Sequence, residues 1–460
     1  WLKRKRGKRP KARAASKSVA RANEVLPVLR GILGARNALY CDDTDAAMPM
    51  MALRAGPNVR AFFARPDLET LAGRGVATPD HVIRIKNYPL YLSQKTVAGG
   101  AATIGAAVDD YIENYTACFA RNAARVGAKM TMLNPAPGLA WIEGVGLVGI
   151  GADARGAAIA ADLGEQNITA MSNGEDCGGF FPVGEAQLFD MEYWALEQAK
   201  LGRSPVGELA GRVVLVTGGG GAIGLAIAQA FAARGANIFL VDLAPDALAA
   251  GLDRLGAGHD GLVMDITAKG AADVAINACA ARFGGLDILV SNAGAAWSGE
   301  MSALDDAVLR KSFELNFFAH QSFAKSAAHM FETQGRGGQI LFNVSKQAVN
   351  PGKGFGAYGL PKAATFFLLR QLALELGAHG VRVNGVNADR IRSGLLDDAF
   401  ISERSRARGI DESTYMAGNL LQREVEARHV ADAFVALALS TRTTAHVMTV
   451  DGGNIEAALR

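Results

Sequence analysis

The sequence predicts an α/β protein whose C-terminal part is a parallel sheet covered by helices on both faces. Seven apolar, β-branched runs follow residue 211, and helical patterns of ten or more residues separate most of them. Continuous apolar runs that alternate with helices are typical of a parallel sheet buried on both sides. We therefore expect a doubly wound, Rossmann-type domain of seven strands over residues 206–460, preceded by a smaller α/β region over residues 1–205. The predicted strands are RVVLVTG, NIFLVD, GLVMDI, LDILVSNAG, QILFNVS, VRVNGVN and HVMTVDG.

The N-terminal region has a less regular pattern. Residues 108–126 predict an amphipathic helix, because Val108, Ile112, Tyr115 and Phe119 share one face. The other predicted elements are a short buried strand at 146–151, helices at about 153–171 and 185–201, and a linker rich in Gly, Ser and Pro at 201–211.

The composition favours a packed protein of two or three domains. The chain has 460 residues, of which 50% are hydrophobic and 20% are charged, with a net charge of +3. Lys and Arg cluster in residues 1–17, which would suit a nucleic-acid-binding arm. We favour a solvated or frayed terminus instead, because no aromatic residues are interleaved with these charges and nothing else indicates nucleic acid.

Targeting and redox signals are weak in this sequence. No apolar segment follows the basic run, as a secretion signal requires, and no apolar stretch reaches the roughly 18 residues of a membrane span. Cys41, Cys118, Cys177 and Cys279 form no CxxC pair and no disulfide framework. We expect a soluble protein of the reducing cytoplasm. Because the chain begins with Trp1 instead of Met, we also expect it to be a piece of a longer protein.

A glycine-rich turn follows the first strand of the C-terminal domain. The segment Thr217–Gly224 reads TGGGGAIG, and a helical pattern begins there. Glycines allow the backbone to turn tightly and to approach a pyrophosphate, while the N-terminus of the helix offers free N–H groups and a positive dipole end. A glycine-rich turn alone is weak evidence for a ligand, but its position between a strand and a helix favours a dinucleotide site.

The second strand ends at Asp242, 24 residues after Gly218. A carboxylate at this position can accept hydrogen bonds from the ribose hydroxyls of the adenosine and would repel the 2′-phosphate of NADP. No Arg or Lys follows it directly or lies in the glycine turn. The sequence therefore predicts NAD as the cofactor.

Tyr358 and Lys362 stand four residues apart in AYGLPKAA, which places both on one face of a helix. Hydride transfer at a carbon that bears oxygen needs a matched proton transfer at that oxygen. A free phenol is a poor base at neutral pH, and a nearby ammonium lowers its pKa. Ser345 ends the strand QILFNVS, 13 residues before Tyr358, and could orient the substrate oxygen. A lone pair of this spacing is usually a surface pair, but its position after a strand-end serine predicts a catalytic group.

These residues together resemble the short-chain dehydrogenase/reductase family. Thr217–Gly224 is similar to the TGxxxGxG loop of that family, with Ala222 in place of the middle glycine. The segment Ser291–Gly294 resembles the family's NNAG motif, Asp265 matches the acidic residue that contacts the adenine, and Asn316 matches the helical asparagine of the proton relay. The resemblance covers residues 206–460.

The resemblance implies a catalytic tetrad and a set of cofactor contacts. Tyr358 would be the acid or base, Lys362 would lower its pKa, Ser345 would polarise the carbonyl and Asn316 would hold a water. The residues implied to bind the cofactor are Gly218, Gly220, Gly221, Ile223, Gly224, Asp242, Asp265, Ile266, Asn292, Ala293, Gly294, Tyr358, Lys362, Ile391 and Ser393. The resemblance also implies a homodimer or homotetramer.

Two segments depart from the family pattern. Pro361 stands inside the predicted catalytic helix, and we expect it to be tolerated only in the first turn, where a backbone N–H is free anyway. After the sixth strand, the usual Asn-Pro-Gly is replaced by residues 387–389, Asn-Ala-Asp, followed by Arg390 and Arg392. Either arginine could hold a phosphate or carboxylate of the substrate. A surface ion pair is an equally good explanation.

The N-terminal region resembles part of a bifunctional aldolase/short-chain dehydrogenase, described as a rhamnulose-phosphate aldolase joined to a lactaldehyde dehydrogenase. RGVATPDHVIRIK, PAPGLAWIEGVGLVGIG and AQLFDMEYWALEQAKLG carry this resemblance, with YGLPKAA and NADRIRSGLL in the C-terminal domain. Class II aldolases hold zinc with several histidines, whereas His81 is the only histidine before residue 205. We therefore expect no metal site, a structural or surface role for His81, and a partial, catalytically incomplete aldolase-like region.

The leading hypothesis is an NAD-dependent oxidoreductase that acts on a small hydroxyl or carbonyl substrate. The resemblance suggests a sugar-derived one: a polyol, a sugar phosphate or lactaldehyde. One alternative is a dinucleotide-binding scaffold with little turnover, against which the complete tetrad argues. Another is a lyase, with aldol cleavage carried out by a longer parent protein.

Overall fold

The computed structural model describes residues 22–40, 48–127, 130–199, 207–394 and 396–454. The basic run at 1–17, Cys41 and most of the predicted linker lie outside these residues. The chain divides into two compact units. The N-terminal unit comprises Trp1–Val206 and Ala280–Gly285, and the C-terminal unit comprises Gly207–Cys279 and Leu286–Arg460.

A four-stranded sheet forms the centre of the N-terminal unit. Its strands are β1 (Met50–Arg54), β2 (Leu90–Leu92), β3 (Leu139–Ile142) and β4 (Gly146–Gly151). Their order is β1-β4-β3-β2, with β4 antiparallel to both of its neighbours and β2 parallel to β3. The helices are Ala22–Asn37, Pro57–Phe63, Leu68–Ala72, Pro79–Ile85, Gln94–Ala98, Gly100–Val126, Ala154–Asp176, Glu185–Glu192 and Ala195–Ala199.

The core of this unit lies between the sheet and two of its long helices. Leu26 from the first helix and Val108 from Gly100–Val126 are fully buried in one apolar cluster with Ala140 and Val148 of the sheet. Burial of such side chains contributes about 25 cal/mol for each Å² of apolar surface removed from water. Of the predicted apolar face at residues 108–126, Val108 and Ile112 join this cluster. Tyr115 and Phe119 instead contact side chains of the segment 189–193.

The predicted elements of the N-terminal unit are partly confirmed. The strand at 146–151 is confirmed, and the helix predicted at 108–126 begins earlier, at Gly100. The helix predicted from 153 begins after Asp153, whose side chain caps it by accepting the Gly156 N–H, and it continues to Asp176. The single helix predicted at 185–201 is wrong, because the first helix ends at Glu192 and a second covers Ala195–Ala199. The strands β1, β2 and β3 were not predicted.

A seven-stranded parallel sheet forms the C-terminal unit, as the sequence predicts. Its strands are β5 (Val213–Thr217), β6 (Asn237–Asp242), β7 (Asp260–Val263), β8 (Ile288–Ser291), β9 (Gly338–Asn343), β10 (Val381–Ala388) and β11 (Val447–Val450). Their order is β7-β6-β5-β8-β9-β10-β11, and every neighbouring pair is parallel. The strand order reverses between β5 and β8, and ligands of doubly wound sheets bind at the carboxyl ends of the strands at such a point.

Helices cover both faces of this sheet, since every residue of β5 is buried. The α-helices are Ala222–Ala232, Pro245–Leu255, Ala271–Phe283, Asp306–Phe313, Ala319–Gln334, Gly356–Leu376, Asp398–Ala407, Glu412–Met416 and Ala427–Leu439. A π-helical turn, Glu314–Phe318, joins two of them, and short 3-10 turns occupy Lys346–Ala348 and Gly377–His379. No helix among the described residues is long and apolar enough to cross a membrane.

Gly149 of β4 allows the helix Ala154–Asp176 to approach the sheet closely. A Cβ added at Gly149 would collide with the Ala157 carbonyl oxygen and the Ala161 nitrogen of that helix. We predict that Gly149→Ala lowers the free energy of unfolding by about 1–3 kcal/mol, because the helix must move away from the sheet. Chemical denaturation followed by circular dichroism measures this.

The matched control for this variant is Gly105→Ala. Gly105 lies inside the helix Gly100–Val126, and a Cβ added there meets nothing within 4 Å. This substitution should raise the stability by about 0.5–1 kcal/mol, since it removes backbone freedom from the unfolded chain. Equal effects of the two substitutions would contradict the proposed close packing.

Candidate active site

The glycine turn after β5 has the shape that a dinucleotide requires. Gly218 adopts a left-handed conformation with φ of 64°, and a Cβ there would lie 2.9 Å from the Ala293 Cα. A Cβ at Gly224 would collide with the Gly218 carbonyl oxygen. The helix Ala222–Ala232 begins with no side-chain cap, so its first N–H groups and its positive dipole end are free to receive an anion. Ala222 is exposed at the first helical position, where its methyl group is accommodated.

Asp242 lies at the end of β6 and holds the glycine turn. One of its carboxylate oxygens accepts the Gly220 N–H at 2.8 Å, and the other accepts the Ala244 N–H at 3.0 Å. The carboxylate is therefore next to the loop that would hold the phosphates, at the position predicted for the adenosine ribose. The residues present fit a dinucleotide that has a free ribose 2′-hydroxyl.

The turns after β7 and β8 complete this edge of the sheet. Asp265 accepts hydrogen bonds from the Thr267 N–H and hydroxyl at 2.9 and 2.7 Å, which hold the pKa of Asp265 below its usual range. The Thr217 hydroxyl accepts the N–H groups of Asn292 and Ala293 at 2.9 and 3.1 Å. These bonds fix the backbone of the predicted SNAG segment beside the glycine turn.

Tyr358 and Lys362 lie one turn apart on the buried face of the helix Gly356–Leu376, which we call the catalytic helix. Their exposed fractions are 8% and 2%. The Lys362 Nζ donates a hydrogen bond to the Asn343 carbonyl oxygen at 2.9 Å and lies 5.8 Å from the centre of the Tyr358 ring. Ser345 is two residues beyond the end of β9, its hydroxyl accepts the Gln347 N–H at 3.3 Å, and it lies close enough to the Tyr358 phenol to lower the pKa of that group. The structure thus brings these three predicted residues together.

Burial dominates the titration of this pair. It raises the pKa of Tyr358 to about 12, against the hydrogen bond from Ser345, which lowers it. It also lowers the pKa of Lys362 from 10.5 to about 8, because an ammonium is disfavoured away from water. The sequence predicted that Lys362 lowers the pKa of Tyr358. In the free protein the desolvation of the phenolate has the larger effect on this pKa, and the role of Lys362 stays a prediction.

Asn316 lies in the π-helical turn Glu314–Phe318 and is fully buried. Its side-chain amide donates to the Ala295 carbonyl at 2.9 Å and to the Ser312 hydroxyl at 3.0 Å. Its own carbonyl oxygen accepts the Thr365 hydroxyl at 2.9 Å. A π turn frees a carbonyl from the regular helical pattern, and such turns are frequent at functional sites. Thr365 thereby ties the π turn to the catalytic helix, which also carries Lys362.

Two stretches of the chain match known families. Residues 20–201 match the family model "Aldolase class II, second domain", and residues 212–403 match the model "short chain dehydrogenase". The (-)-isopiperitenol/(-)-carveol dehydrogenase of Mentha piperita is 31% identical over 258 residues, which are 54% of this chain and 95% of that protein. The chain belongs to the short-chain dehydrogenase/reductase family. Its C-terminal unit is therefore the oxidoreductase that the sequence predicts, with that family's NAD-binding fold.

The similarity extends to both units in one relative. The uncharacterized oxidoreductase YuxG of Bacillus subtilis (strain 168) is 30% identical over 452 residues, which are 93% of this chain. This chain spans 63% of the length of that protein. Together with the two family models, it confirms the predicted combination of an aldolase-like region and a short-chain dehydrogenase. About half of the chain also has a fold similar to that of carveol dehydrogenase from Mycobacterium avium in complex with NAD. The identity is 23% and the TM-score 0.51, over 54% of this chain and 99% of that one.

Arg390 and Arg392 already have partners within this short-chain dehydrogenase unit. The Arg390 Nη1 donates to the Tyr415 carbonyl at 2.7 Å, and its guanidinium lies 4.9 Å from the centre of the Tyr415 ring. Arg392 pairs with Asp398 and Glu424 at 2.7 and 2.8 Å. These contacts favour the surface ion pair over the substrate contact for Arg392, and they give Arg390 a role in holding the segment that follows β10.

Other predicted cofactor residues lie in or near the same edge of the sheet. Ile391 is buried, and the Ser393 hydroxyl donates to its carbonyl oxygen at 3.2 Å. Asp389, at the altered family motif, pairs with Lys346 at 2.9 Å. Lys346 directly follows Ser345, so this ion pair links the ends of β9 and β10 beside the predicted substrate position.

Pro361 is the sixth residue of the catalytic helix and lies beyond its first turn. The expectation that it would be confined to the first turn is therefore wrong. A proline here leaves the Ala357 carbonyl without its usual helical donor. The helix nevertheless continues for 15 residues after Pro361, to Leu376.

Sequence analysis missed a group of buried residues beneath the site. His320 is 1% exposed, and its Nδ1 lies 2.6 Å from the Ser291 hydroxyl. The Asn343 side-chain amide donates to the side-chain Oδ1 of Asn292 at 2.9 Å, which connects the residue that holds Lys362 to the SNAG segment. The spacing of four residues between Asn316 and His320 in LNFFAH was the available signal for His320. Burial lowers the pKa of His320 well below its usual range, helped by the adjacent Lys362 ammonium.

The N-terminal unit offers no metal centre among the residues that the structure describes, where no three His, Cys, Asp or Glu side chains lie close enough to hold an ion. His81 is 1% exposed, and its Nδ1 lies 2.6 Å from the Thr78 hydroxyl. Thr78 immediately precedes the helix Pro79–Ile85 that carries His81. These contacts favour a structural role for the histidine.

The burial of Lys362 has a cost that depends on pH. A lysine whose pKa falls from 10.5 to about 8 on folding makes the folded state bind fewer protons than the unfolded state between these values. Stability therefore rises with pH in that window. We predict that Lys362→Met raises the free energy of unfolding by about 1–3 kcal/mol near pH 7, with a gain that shrinks as the pH rises from 8 to 10.5. Denaturant titrations across this pH range measure it.

The control is Lys325→Met, an exposed lysine on the helix Ala319–Gln334 of the same unit. It should change the stability by less than about 0.5 kcal/mol at any of these pH values. A Lys362→Met protein that is less stable than the wild type at pH 7 would show that the hydrogen bond to Asn343 outweighs the desolvation of the ammonium.

Proposed function

We propose that residues 206–460 are an NAD-dependent oxidoreductase, which transfers a hydride between NAD and a small substrate that carries a hydroxyl or carbonyl group. The observation that carries this proposal is the convergence of Tyr358, Lys362 and Ser345 at the carboxyl ends of β9 and β10. The glycine turn after β5 lies at the same edge of the parallel sheet. The residues for proton transfer and those for dinucleotide binding thus lie at the same edge of one sheet.

The proton step uses the phenol of Tyr358. In the oxidation of an alcohol, the substrate hydroxyl gives its proton to the Tyr358 phenolate. NAD held at the glycine turn would supply the acceptor for the hydride from the carbon that bears this hydroxyl. In the reverse direction the phenol donates its proton to the carbonyl oxygen. Ser345 donates a hydrogen bond to the reacting oxygen, and the Lys362 ammonium favours the phenolate. Asn316 holds a water that connects Lys362 to the solvent.

Asp242 supports NAD over NADP. Its carboxylate already holds the Gly220 N–H, so it cannot move away from the ribose without disturbing the phosphate loop. A 2′-phosphate would then meet a fixed negative charge, which costs binding free energy.

The substrate that we propose is sugar-derived, such as a polyol, a sugar phosphate or lactaldehyde. The match of residues 20–201 to a class II aldolase domain supports it, because aldol cleavage yields small hydroxylated carbonyl compounds. In this proposal, residues 1–205 are the aldolase-like region, and residues 206–460 oxidise or reduce such a compound.

The cofactor assignment is tested by titrating NAD and NADP against the wild type and Asp242→Asn. The amide keeps an oxygen that accepts the Gly220 N–H but removes the charge, so the loop should persist. We expect the wild type to bind NAD at least about tenfold more tightly than NADP, a difference of about 1.4 kcal/mol, and the variant to lose most of this preference.

The matched control for the cofactor test is Asp246→Asn, an exposed carboxylate in the first turn of the neighbouring helix. This variant should keep the wild-type preference. A wild-type protein that binds neither dinucleotide, or that binds NADP as tightly as NAD, would overturn the assignment.

The proton step is tested with Tyr358→Phe. The substitution keeps the ring and removes the acidic proton, so it should lower the rate of alcohol oxidation by a factor of about 10²–10⁴ and leave NAD binding unchanged. The assay is NADH formation with polyols, lactaldehyde and sugar phosphates as substrates. Unchanged turnover in this variant would exclude Tyr358 as the proton-transfer residue.

The raised pKa of Tyr358, about 12, predicts that only the oxidation direction depends on pH near neutrality. Oxidation needs the phenolate, whose fraction grows about tenfold for each pH unit below this pKa, so kcat/KM for the alcohol should rise steeply between pH 6 and 8. Reduction needs the protonated phenol, so kcat/KM for the carbonyl compound should stay level over the same range. Initial rates in both directions measure this, and a level oxidation profile would contradict it.

A further inference from the structure

The ion pair between Lys346 and Asp389 lies beside the expected substrate position and has no part in the proton step. Lys346 directly follows Ser345, the residue expected to hold the reacting oxygen, and neighbouring Cα atoms are only about 3.8 Å apart. Asp389 is the first residue after β10, which ends at Ala388. Both residues therefore lie at the carboxyl ends of parallel strands, where doubly wound sheets bind their ligands.

The register of β9 and β10 explains why these two residues meet. Asn343 at the end of β9 pairs with Val386 of β10. Lys346 and Asp389 each stand three residues further along their chain segments, so both segments reach the edge of the sheet together. The Lys346 Nζ then donates to the Asp389 Oδ2 at 2.9 Å.

This pair is shielded from water to an extent that ordinary surface ion pairs are not. The Lys346 and Asp389 side chains are 14% and 12% exposed. By comparison, the side chains of the pair Lys353 and Glu300, at 3.7 Å, are 91% and 67% exposed. Hydrogen bonds to charged groups are stronger where water is largely excluded. A ligand that reached the shielded pair would therefore be bound more firmly than one at the exposed pair.

Both members of the pair keep unused hydrogen-bonding capacity. The contacts of Asp389 all fall on its Oδ2, which accepts Lys346 and the Asn454 Nδ2 at 2.8 Å and lies 3.7 Å from the Arg390 Nε. Its Oδ1 has no partner among the described residues and is not fully buried. An ammonium has three N–H donors, and in the described part of the chain Lys346 uses only the one to Asp389.

A hydroxyl group suits this combination of a free acceptor and free donors. It can donate to the Asp389 carboxylate and accept from the Lys346 ammonium, and both bonds are strengthened by the charge. A phosphate or carboxylate would be attracted by the lysine but repelled by the free oxygen of the aspartate. An apolar group would remove water from both charges and replace none of its hydrogen bonds.

We propose that Lys346 and Asp389 determine substrate specificity by binding a second hydroxyl group, on the carbon next to the one that is oxidised. This inference rests on the proposed oxidoreductase function, in which Ser345 and Tyr358 bind the reacting oxygen. The substrate is then a vicinal diol or, in the direction of reduction, an α-hydroxy carbonyl compound. The pair forms hydrogen bonds only, and the hydride and proton steps stay as described.

The test compares butane-2,3-diol, butan-2-ol and lactate in the NADH-formation assay with the full chain. Each carries a secondary alcohol, and the neighbouring carbon bears a hydroxyl, no polar group or a carboxylate oxygen pair. We expect kcat/KM for the diol to exceed that for either of the others by a factor of about ten or more, because a site built to bond a hydroxyl discriminates against molecules that lack it.

Variants of the pair locate this preference. Lys346→Met should lower the ratio of kcat/KM for the diol to that for butan-2-ol by about tenfold, and Asp389→Asn, which keeps an oxygen for Asn454, by about threefold or more. The loss should appear mainly as a higher KM for the diol, since the second hydroxyl is bound equally in the ground state and the transition state. A merely structural role of the pair would affect both alcohols alike.

Two further variants serve as controls. Lys346→Arg keeps the charge and the donors and should retain most of the ratio. Lys353→Met removes the exposed lysine of the comparison pair and should keep the wild-type ratio. Circular dichroism checks that every variant is folded.

Binding is measured separately from turnover by saturation-transfer NMR of the full chain with NADH, which accepts no hydride from an alcohol. We expect the diol to bind the wild type more tightly than butan-2-ol does and to lose this advantage in Lys346→Met. Diol binding that depends on Lys346 in a protein that oxidises no alcohol would support the specificity pair and count against the oxidoreductase function.

The inference is overturned, with the oxidoreductase function intact, if the three alcohols are oxidised with equal kcat/KM or if lactate is preferred. A diol preference that persists in both folded variants, Lys346→Met and Asp389→Asn, overturns it as well. A wild-type protein that neither binds nor oxidises the diol contradicts the pair's role.

Discussion

The hydrogen bond between the Lys362 ammonium and the Asn343 carbonyl organises the candidate active site. It holds a charge that is almost fully buried, and the protein tolerates this charge only because the strand end supplies a fixed acceptor. Asn343 in turn bonds to Asn292, which is fixed by Thr217 at the end of β5. A continuous set of polar contacts therefore joins the catalytic helix, β9, β8 and the glycine turn. These contacts therefore help to fix the position of Tyr358 relative to the dinucleotide turn.

The structure also separates two roles that positive charges play in this protein. Lys362 is buried, and desolvation lowers its pKa to about 8. Its ammonium can therefore lose its proton at a pH close to neutral. Arg390 and Arg392 keep their charge and hold the segment after β10 through carbonyl and carboxylate partners. The lysine is suited to proton chemistry and the arginines to architecture, as the chemistry of the two groups suggests.

The C-terminal fold could be predicted from the sequence because each strand is a continuous apolar run between helices. All seven predicted strands are present in one parallel sheet, and the spacing of Tyr358 and Lys362 placed both on one helix face. The N-terminal unit could not be predicted as well, since β2 has three residues and carries too little pattern. The helix break after Glu192 has a tertiary cause. Tyr193 stacks on Phe189 with ring centres 4.5 Å apart, and its hydroxyl bonds to Tyr115 and to the Leu133 N–H. Such contacts override local helix propensity.

The π turn at Glu314–Phe318 also changes which residues of the flanking helices face the sheet. One extra residue in a turn rotates everything after it by about 100° relative to a continuous α-helix. The helical spacing of buried residues in Asp306–Phe313 therefore does not continue unchanged into Ala319–Gln334. The buried positions are shifted by one residue, although the second helix directly follows the first. A relative that lacked one residue here and formed a continuous α-helix would keep the same side of the second helix on the sheet, whereas a relative that kept the residue without the π turn would turn a different side toward it. The length of this short segment is thus as informative as its residues when short-chain dehydrogenases are aligned or redesigned.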